Sequence, residues 1–374
     1  MKIKSCLITL GAGSTPLRTF LKILTNISEE VYIVHSQIDS SELSSFSNIH
    51  SYAIGYSSSS LMILRIYYYF ILQLKFLKII LSIRRQINIF IFFIGGEGLI
   101  LPSFFLRILG CRTVLMPGGW AHQVMQSTKD NLRIPFEFLM QLNIRLVDNL
   151  LLYSESLYSN QVRFSLSNKV IFVRRHYVDF EKFRKILSIS DRDWIVGYIG
   201  RLSHEKGIMK LMESFLIAKT LMPTLRLYMI GEGRLRKLVE KTAAQNASSI
   251  RYFGSVPHDL VPEYLNKMKI LLLPSTSEGL PNIMLEAMAC GTPVFANPVG
   301  AIPDVITHKI TGILLSSNIP KDIAHQLVSI VQNEEKLEQI SNNAYEKAHQ
   351  FFSYEQVLNE WAKLIFRLAQ KGTS

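Results

Sequence analysis

Short apolar runs alternate with longer amphipathic stretches along almost the whole chain. In the first half, runs at Ile3–Leu10, Val31–His35, Ile89–Ile94, Thr113–Met116, Asn149–Tyr153 and Val170–Val173 predict strands. Between them, Leu17–Leu24, Leu61–Ile83, Leu99–Leu109 and Ile134–Val147 predict helices. The second half repeats the alternation, with strands at Ile195–Ile199, Arg226–Ile230, Ile250–Phe253, Ile270–Leu273, Val294–Ala296 and Gly312–Leu315. Its helices start near Ile208, Arg234, Pro262 and Pro281. After Lys321 the pattern is wholly helical, and Tyr354–Ala369 has the spacing of a terminal helix. Such alternation implies parallel sheets covered on both faces, an α/β chain with two Rossmann-like, doubly wound sheets of six or so strands. The expected division is 1–180, 181–352 and a last helix over 353–374.

Length and composition agree. A chain of 374 residues suits two domains, and 48% hydrophobic with 19% charged residues describes a globular protein. Cys6, Cys111 and Cys290 have no metal-ligand spacing, and an odd count argues against a disulfide framework and for a reducing compartment. The net charge of +12 is uneven: residues 1–180 hold 18 Lys and Arg against 10 Asp and Glu. A basic first half could face nucleic acid, an anionic membrane surface or an anionic substrate, or serve solubility alone. Residues 1–10 run into Gly11-Ala12-Gly13 as a first strand and turn, so no cleavable leader is expected.

The chemistry concentrates in Ser275-Thr276-Ser277-Glu278-Gly279-Leu280-Pro281-Asn282-Ile283-Met284-Leu285-Glu286, closed by Gly291 and Pro293. This reads as a loop feeding a short helix, with Pro281 suited to the first turn. The amides of Gly279, Leu280, Pro281 and Asn282 then fall at a helix N-terminus, where partial positive charge suits a phosphate or polar sugar. Glu278 and Glu286 flank that place, about two helical turns apart, able to bind hydroxyls.

These residues resemble the Glu-x7-Glu element of the retaining glycosyltransferases of family 4, which have the GT-B fold. Val196-Gly197-Tyr198-Ile199-Gly200-Arg201-Leu202-Ser203-His204-Glu205-Lys206-Gly207 is similar to that family's strand-loop-helix with a phosphate-binding Arg and Lys. Leu227–Gly233 and Ile250–Val256 resemble its next two strand ends, so the likeness covers roughly residues 194 to 315 in order. The resemblance implies two domains facing across a cleft, the first binding the acceptor and the second a nucleotide-diphosphate sugar, with the last helix crossing back. Arg201 and Lys206 would stabilise the departing diphosphate, Glu286 would hold the ribose hydroxyls, and Glu278 would face the donor sugar. Val256, with Phe253 and Gly254, would line the base pocket.

Other positions are less specific. Gly11 and Gly13 close the first strand and could approach the donor phosphate, but Pro16 stands where a dinucleotide fingerprint has its third glycine. Gly231-Glu232-Gly233 reads as a tight strand-to-helix turn. In Met116-Pro117-Gly118-Gly119-Trp120-Ala121-His122, the family's strand-end His aligns with Gly118 or Gly119. His122, three or four residues on, either takes that role or is a bystander. In Arg174-Arg175-His176-Tyr177-Val178-Asp179 only Val178-Asp179 match the family's interdomain turn. Asp191-Arg192-Asp193 reads as a solvated turn, not a metal site, and neither metal nor cofactor is expected.

The segment Leu61–Leu81 is rich in aromatics but carries Arg65, Lys75 and Lys78. Charges spread through it argue against spanning a membrane and fit a helix lying on a bilayer. A fold helix packed on the sheet is an equally open reading, and the two are compatible. The expected activity is a retaining, metal-independent hexosyl- or glycosyltransferase acting on a polysaccharide or lipid-linked glycan at the cytoplasmic membrane face, with no nucleic-acid partner. Two rivals stand beside it: a non-catalytic nucleotide-sugar binder, and a nicotinamide-dependent dehydrogenase, which would want a full Gly-x-Gly-x-x-Gly with a following acidic residue.

Overall fold

The computed structural model describes residues 3–10, 14–39, 43–55, 61–117, 133–156, 167–174 and 176–370. The chain divides into two compact units: Met1–Tyr153 with Tyr158–Arg175 and Leu358–Ser374, and Ser154–Leu157 with His176–Val357.

The first unit holds strands β1 (Lys4–Thr9), β2 (Glu30–His35), β3 (Ile49–Ala53), β4 (Ile89–Phe92), β5 (Thr113–Leu115), β6 (Asn149–Leu152) and β7 (Val170–Phe172). They form one sheet in the order β3-β2-β1-β4-β5-β6-β7, every pairing parallel. Both faces of the central strands are covered, Cys6, Leu7, Ile8 and Phe90–Phe92 all being buried, and β4 accordingly reads as a continuous apolar run. The covering helices are α1 (Ser14–Ile27), α2 (Met62–Ile83), α3 (Ile100–Ile108) and α4 (Arg133–Leu146). Leu72, Phe76, Ile80 and Ile83 of α2 enter the core with Ile144 of α4. β3 lacks an apolar run, so the hydrophobic pattern alone does not show it.

The second unit has β8 (Ile195–Ile199), β9 (Arg226–Ile230), β10 (Ile250–Tyr252), β11 (Ile270–Leu273), β12 (Val294–Ala296) and β13 (Ile313–Leu314). Their order is β10-β9-β8-β11-β12-β13, again all parallel. Helices follow as α5 (Ile208–Leu221), α6 (Arg236–Gln245), α7 (Val261–Lys267), α8 (Asn282–Ala289), α9 (Ile302–Val305), α10 (Pro320–Val331), α11 (Glu334–Phe352) and α12 (Tyr354–Gln370). From Leu358 onward α12 belongs to the first unit. There the Trp361 indole donates to the Arg174 carbonyl (2.7 Å) and meets the Phe20 ring edge-on at 4.9 Å.

Asp191-Arg192-Asp193 corrects one expectation. Asp191 and Asp193 are exposed, but Arg192 between them is buried. Its guanidinium donates to the carbonyls of Leu187, Leu265, Met268 and Cys290 and to the Thr292 hydroxyl. Burial pulls its pKa down to about 10. Arg192 thus ties the chain entering β8 to the ends of α7 and α8, a structural role that the two flanking carboxylates conceal in the sequence.

Candidate functional site

In the second unit the strand order reverses between β8 and β11. At such a switch point the loops leaving neighbouring strands diverge to opposite sides and open a crevice at the carboxyl ends of the sheet. The loop after β8 carries Arg201 and Lys206; the loop after β11 carries Ser275–Pro281. The Thr276 amide donates to the Glu205 carbonyl (2.8 Å), tying the two loops together. Gly207 ends the first loop at φ +71°, and a Cβ there would lie 2.2 Å from the Pro274 carbonyl oxygen. Only glycine lets the loops approach this closely.

That approach brings two expected residues into contact. Lys206 Nζ donates to both carboxylate oxygens of Glu278, at 2.7 and 2.6 Å. The pair is half-sheltered: 24% of the Lys206 side chain and 8% of that of Glu278 is exposed. Glu278 does not cap α8, which has no side-chain cap. Behind it, Gly300 at φ +60° would place a Cβ 2.1 Å from the Glu278 carbonyl oxygen, and the Ala301 amide donates to Gly279. Arg201 lies on the surface of the same loop, where its carbonyl accepts from the buried Tyr198 hydroxyl (2.8 Å). The Ser203 hydroxyl, with the Arg201 and Lys206 charges, holds the neighbouring Glu205 carboxyl below its ordinary range.

α8 begins one residue later than expected. Pro281 stands at its cap in extended conformation (φ −69°, ψ 120°), and Asn282 is the first helical residue. The far end is a Schellman motif: the Thr292 amide donates to Ala287 and that of Gly291, at φ +64°, to Met288. Met284, Leu285, Ala287 and Met288 are buried, which leaves Glu286 half-buried at the edge of the packed face.

Two histidines not expected here complete the site. His258 Nε2 donates to Glu286 Oε1 at 2.9 Å, and its Nδ1 lies 3.2 Å from Lys182 Nζ. The bond to Glu286 pushes the His258 pKa up, against burial and the Lys182 charge. Lys182 is in turn paired with Asp259, and Phe183 packs on the His258 ring at 5.3 Å. His176 Nδ1 donates to Asn282 Oδ1 at 2.6 Å, which gives the unmatched residue before Val178-Asp179 a place at the start of α8. The turn Pro257-His258-Asp259 after β10 was the available sequence signal for His258.

Val256 is half-buried on the same loop, and Phe253 is engaged edge-on by Tyr228 and Tyr264, each at 5.0 Å. The Gly231–Gly233 turn is held against the Arg201 loop, the Leu202 amide donating to the Glu232 carbonyl (2.8 Å). Gly11, Gly13 and His122 lie outside the described residues. Among the described residues no group of three or more His, Cys, Asp and Glu side chains is placed to hold a metal ion.

A cation held on a carboxylate at a sheet switch point, with a second carboxylate on the following helix, is a geometry for an anionic ligand bearing hydroxyls. Residues 179–347 match the glycosyl transferases group 1 family. The group 1 match takes in Lys182, Arg201, Lys206, Val256, His258, Glu278 and Glu286. N-acetyl-alpha-D-glucosaminyl L-malate synthase of Bacillus anthracis is 25% identical over 205 residues, 54% of this chain and 51% of its own. The capsular polysaccharide biosynthesis glycosyltransferase CapM of Staphylococcus aureus is 25% identical over 185 residues, 48% and 47% of the two chains. The chain thus spans about half the length of the curated relatives it matches. HepE of Anabaena, solved in complex with UDP, superposes with a TM-score of 0.76 at 15% identity, covering 98% of this chain and 100% of its own. That likeness shows the GT-B fold: two Rossmann-like α/β domains.

Proposed function

We propose that the protein is a retaining glycosyltransferase that moves a sugar from a nucleotide-diphosphate donor to a hydroxyl of a polysaccharide or lipid-linked glycan at the cytoplasmic membrane face. The observation that carries this reading is the Lys206–Glu278 pair at the β8/β11 switch point, with Glu286 on the helix that follows. The UDP complex of HepE and the polysaccharide role in the name of CapM support it.

In the proposed reaction the bond between the anomeric carbon and the diphosphate oxygen breaks as the acceptor hydroxyl oxygen attacks from the same face. The acceptor proton passes to the leaving diphosphate oxygen, so no separate protein base is required. Negative charge grows on the diphosphate during this step, and Lys206 and Arg201 stabilise it more in the transition state than before. Glu278, held by Lys206, accepts hydroxyls of the donor sugar and offsets positive charge at the anomeric carbon. Glu286, oriented by His258, accepts the vicinal ribose hydroxyls.

Incubation with a panel of nucleotide sugars and a membrane lipid extract, read by mass spectrometry and NMR, tests this. The expected product gains one glycosyl residue with the donor's anomeric configuration, and a nucleoside diphosphate is released. Tight nucleotide-sugar binding without turnover on any acceptor would contradict the reading and favour a non-catalytic binder.

A further inference from the structure

Helix α2 is apolar on two opposed sides. At about 100° per residue, Leu72, Phe76, Ile80 and Ile83 share one side and lie in the core of the first unit. Ile63, Ile66, Tyr67, Phe70 and Leu74 fall on the other and are between 41% and 81% exposed. An apolar helix face of this length is ordinarily covered. The neighbouring α3 is fastened to α2, the Leu101 amide donating to Gln73 Oε1 (2.8 Å) and the Tyr69 hydroxyl to the Gly98 carbonyl. Its far end exposes Phe104, Phe105 and Ile108 as well.

Charge names the occupant. Residues 43–129 carry eight Lys and Arg and one carboxylate, Glu97, which is buried. Lys75 and Lys78, both exposed, flank the apolar stripe. A second copy of a chain with net charge +12 would set cation against cation across such a face. Anionic lipid headgroups would instead meet the lysines while the stripe enters the acyl boundary.

We propose that this face docks the first unit on an anionic lipid surface, lying on it rather than crossing it. Met62–Gln86 is long and apolar enough to span a membrane by length and composition. Spanning takes about 20 residues, however, and would strip Leu72, Phe76, Ile80 and Ile83 from the core. The most exposed apolar residues of α2 lie within Met62–Phe70, about 14 Å of helix, too short to span. The proposal rests on the transferase reading only for its purpose, which is to bring the enzyme to a membrane-borne acceptor.

Co-sedimentation of the full chain with vesicles of phosphatidylcholine, alone or mixed with phosphatidylglycerol, tests the docking without any sugar donor. Failure here therefore leaves the transferase reading standing, and the reverse. Binding to the anionic vesicles is expected to exceed binding to neutral ones at least about tenfold. Ile63→Ser with Phe70→Ser should lower it about tenfold or more, and Lys75→Glu with Lys78→Glu should abolish the lipid preference, both with unchanged circular dichroism. Should the first double variant fold poorly, Ile63→Ser alone, at an 81% exposed position, serves in its place. Equal binding to both vesicle types, or full binding by both variants, would overturn the proposal. So would a dimer that the Ser variants dissociate in a chain that ignores vesicles, which would give the face to a second copy.

Discussion

Lys206 and Glu278, 72 positions apart in the chain, meet through two hydrogen bonds from one ammonium group. Each leaves a different strand of the same sheet, and the pair sits where those strands diverge. A departing diphosphate would compete with Glu278 for the Lys206 charge. In the proposed reaction the contact that joins the two loops would also set where negative charge is received.

The Glu286 carboxylate is predicted to serve binding more than turnover. Glu286→Gln keeps the shape but removes the charge that accepts vicinal hydroxyls, so donor affinity should weaken by about tenfold, the worth of one or so charged hydrogen bonds, with kcat little changed. Calorimetry with the nucleotide donor reads this directly; unchanged affinity removes Glu286 from the site.

His258 supplies a pH signature. Its pKa is raised in the folded chain by the bond to Glu286, so the contribution of that tie is full below the ordinary imidazole value of about 6.5 and is lost as pH rises through the folded value. An NMR titration should place His258 above that ordinary value in the wild type and lower in Glu286→Gln. A His258 that titrates identically in both proteins would break the link between them.

Arg192 is expected to matter for folding and its neighbours not at all. Arg192→Met leaves the carbonyls of Met268 and Cys290 without their buried donor, at a cost of about 3 kcal/mol. Asp193→Asn, at an exposed position, should melt and turn over as the wild type does. Denaturant melts of the two variants separate these outcomes; a stable Arg192→Met would contradict the buried-tie account.

Much of this was legible in the order of residues. Strands buried on both faces, such as β4, β8 and β11, are unbroken apolar runs, and the loop-helix at Ser275–Pro293 carries its own turn chemistry. β3 escaped because Ile49-His50-Ser51-Tyr52-Ala53 is an edge strand with no buried residue. The role of Arg192 is hidden in the sequence because Asp residues flank it, while the carbonyls that hold it come from segments up to 98 positions away. The contact of His258 with Glu286, 28 residues on, follows no helical or strand period, so no spacing rule could have paired them.

The most direct test of the account is the turnover of Lys206→Ala against wild type, both in excess EDTA. On the proposed reading Lys206, Arg201 and the N-terminus of α8 would supply the positive charge a diphosphate requires, so the wild type should work without a divalent ion. Because the variant leaves the largely buried Glu278 without its ammonium, circular dichroism must first show that it keeps its fold; it should then lose about 10²- to 10³-fold in kcat. Wild-type turnover in Lys206→Ala, or activity abolished by EDTA and restored by magnesium or manganese, would contradict the account.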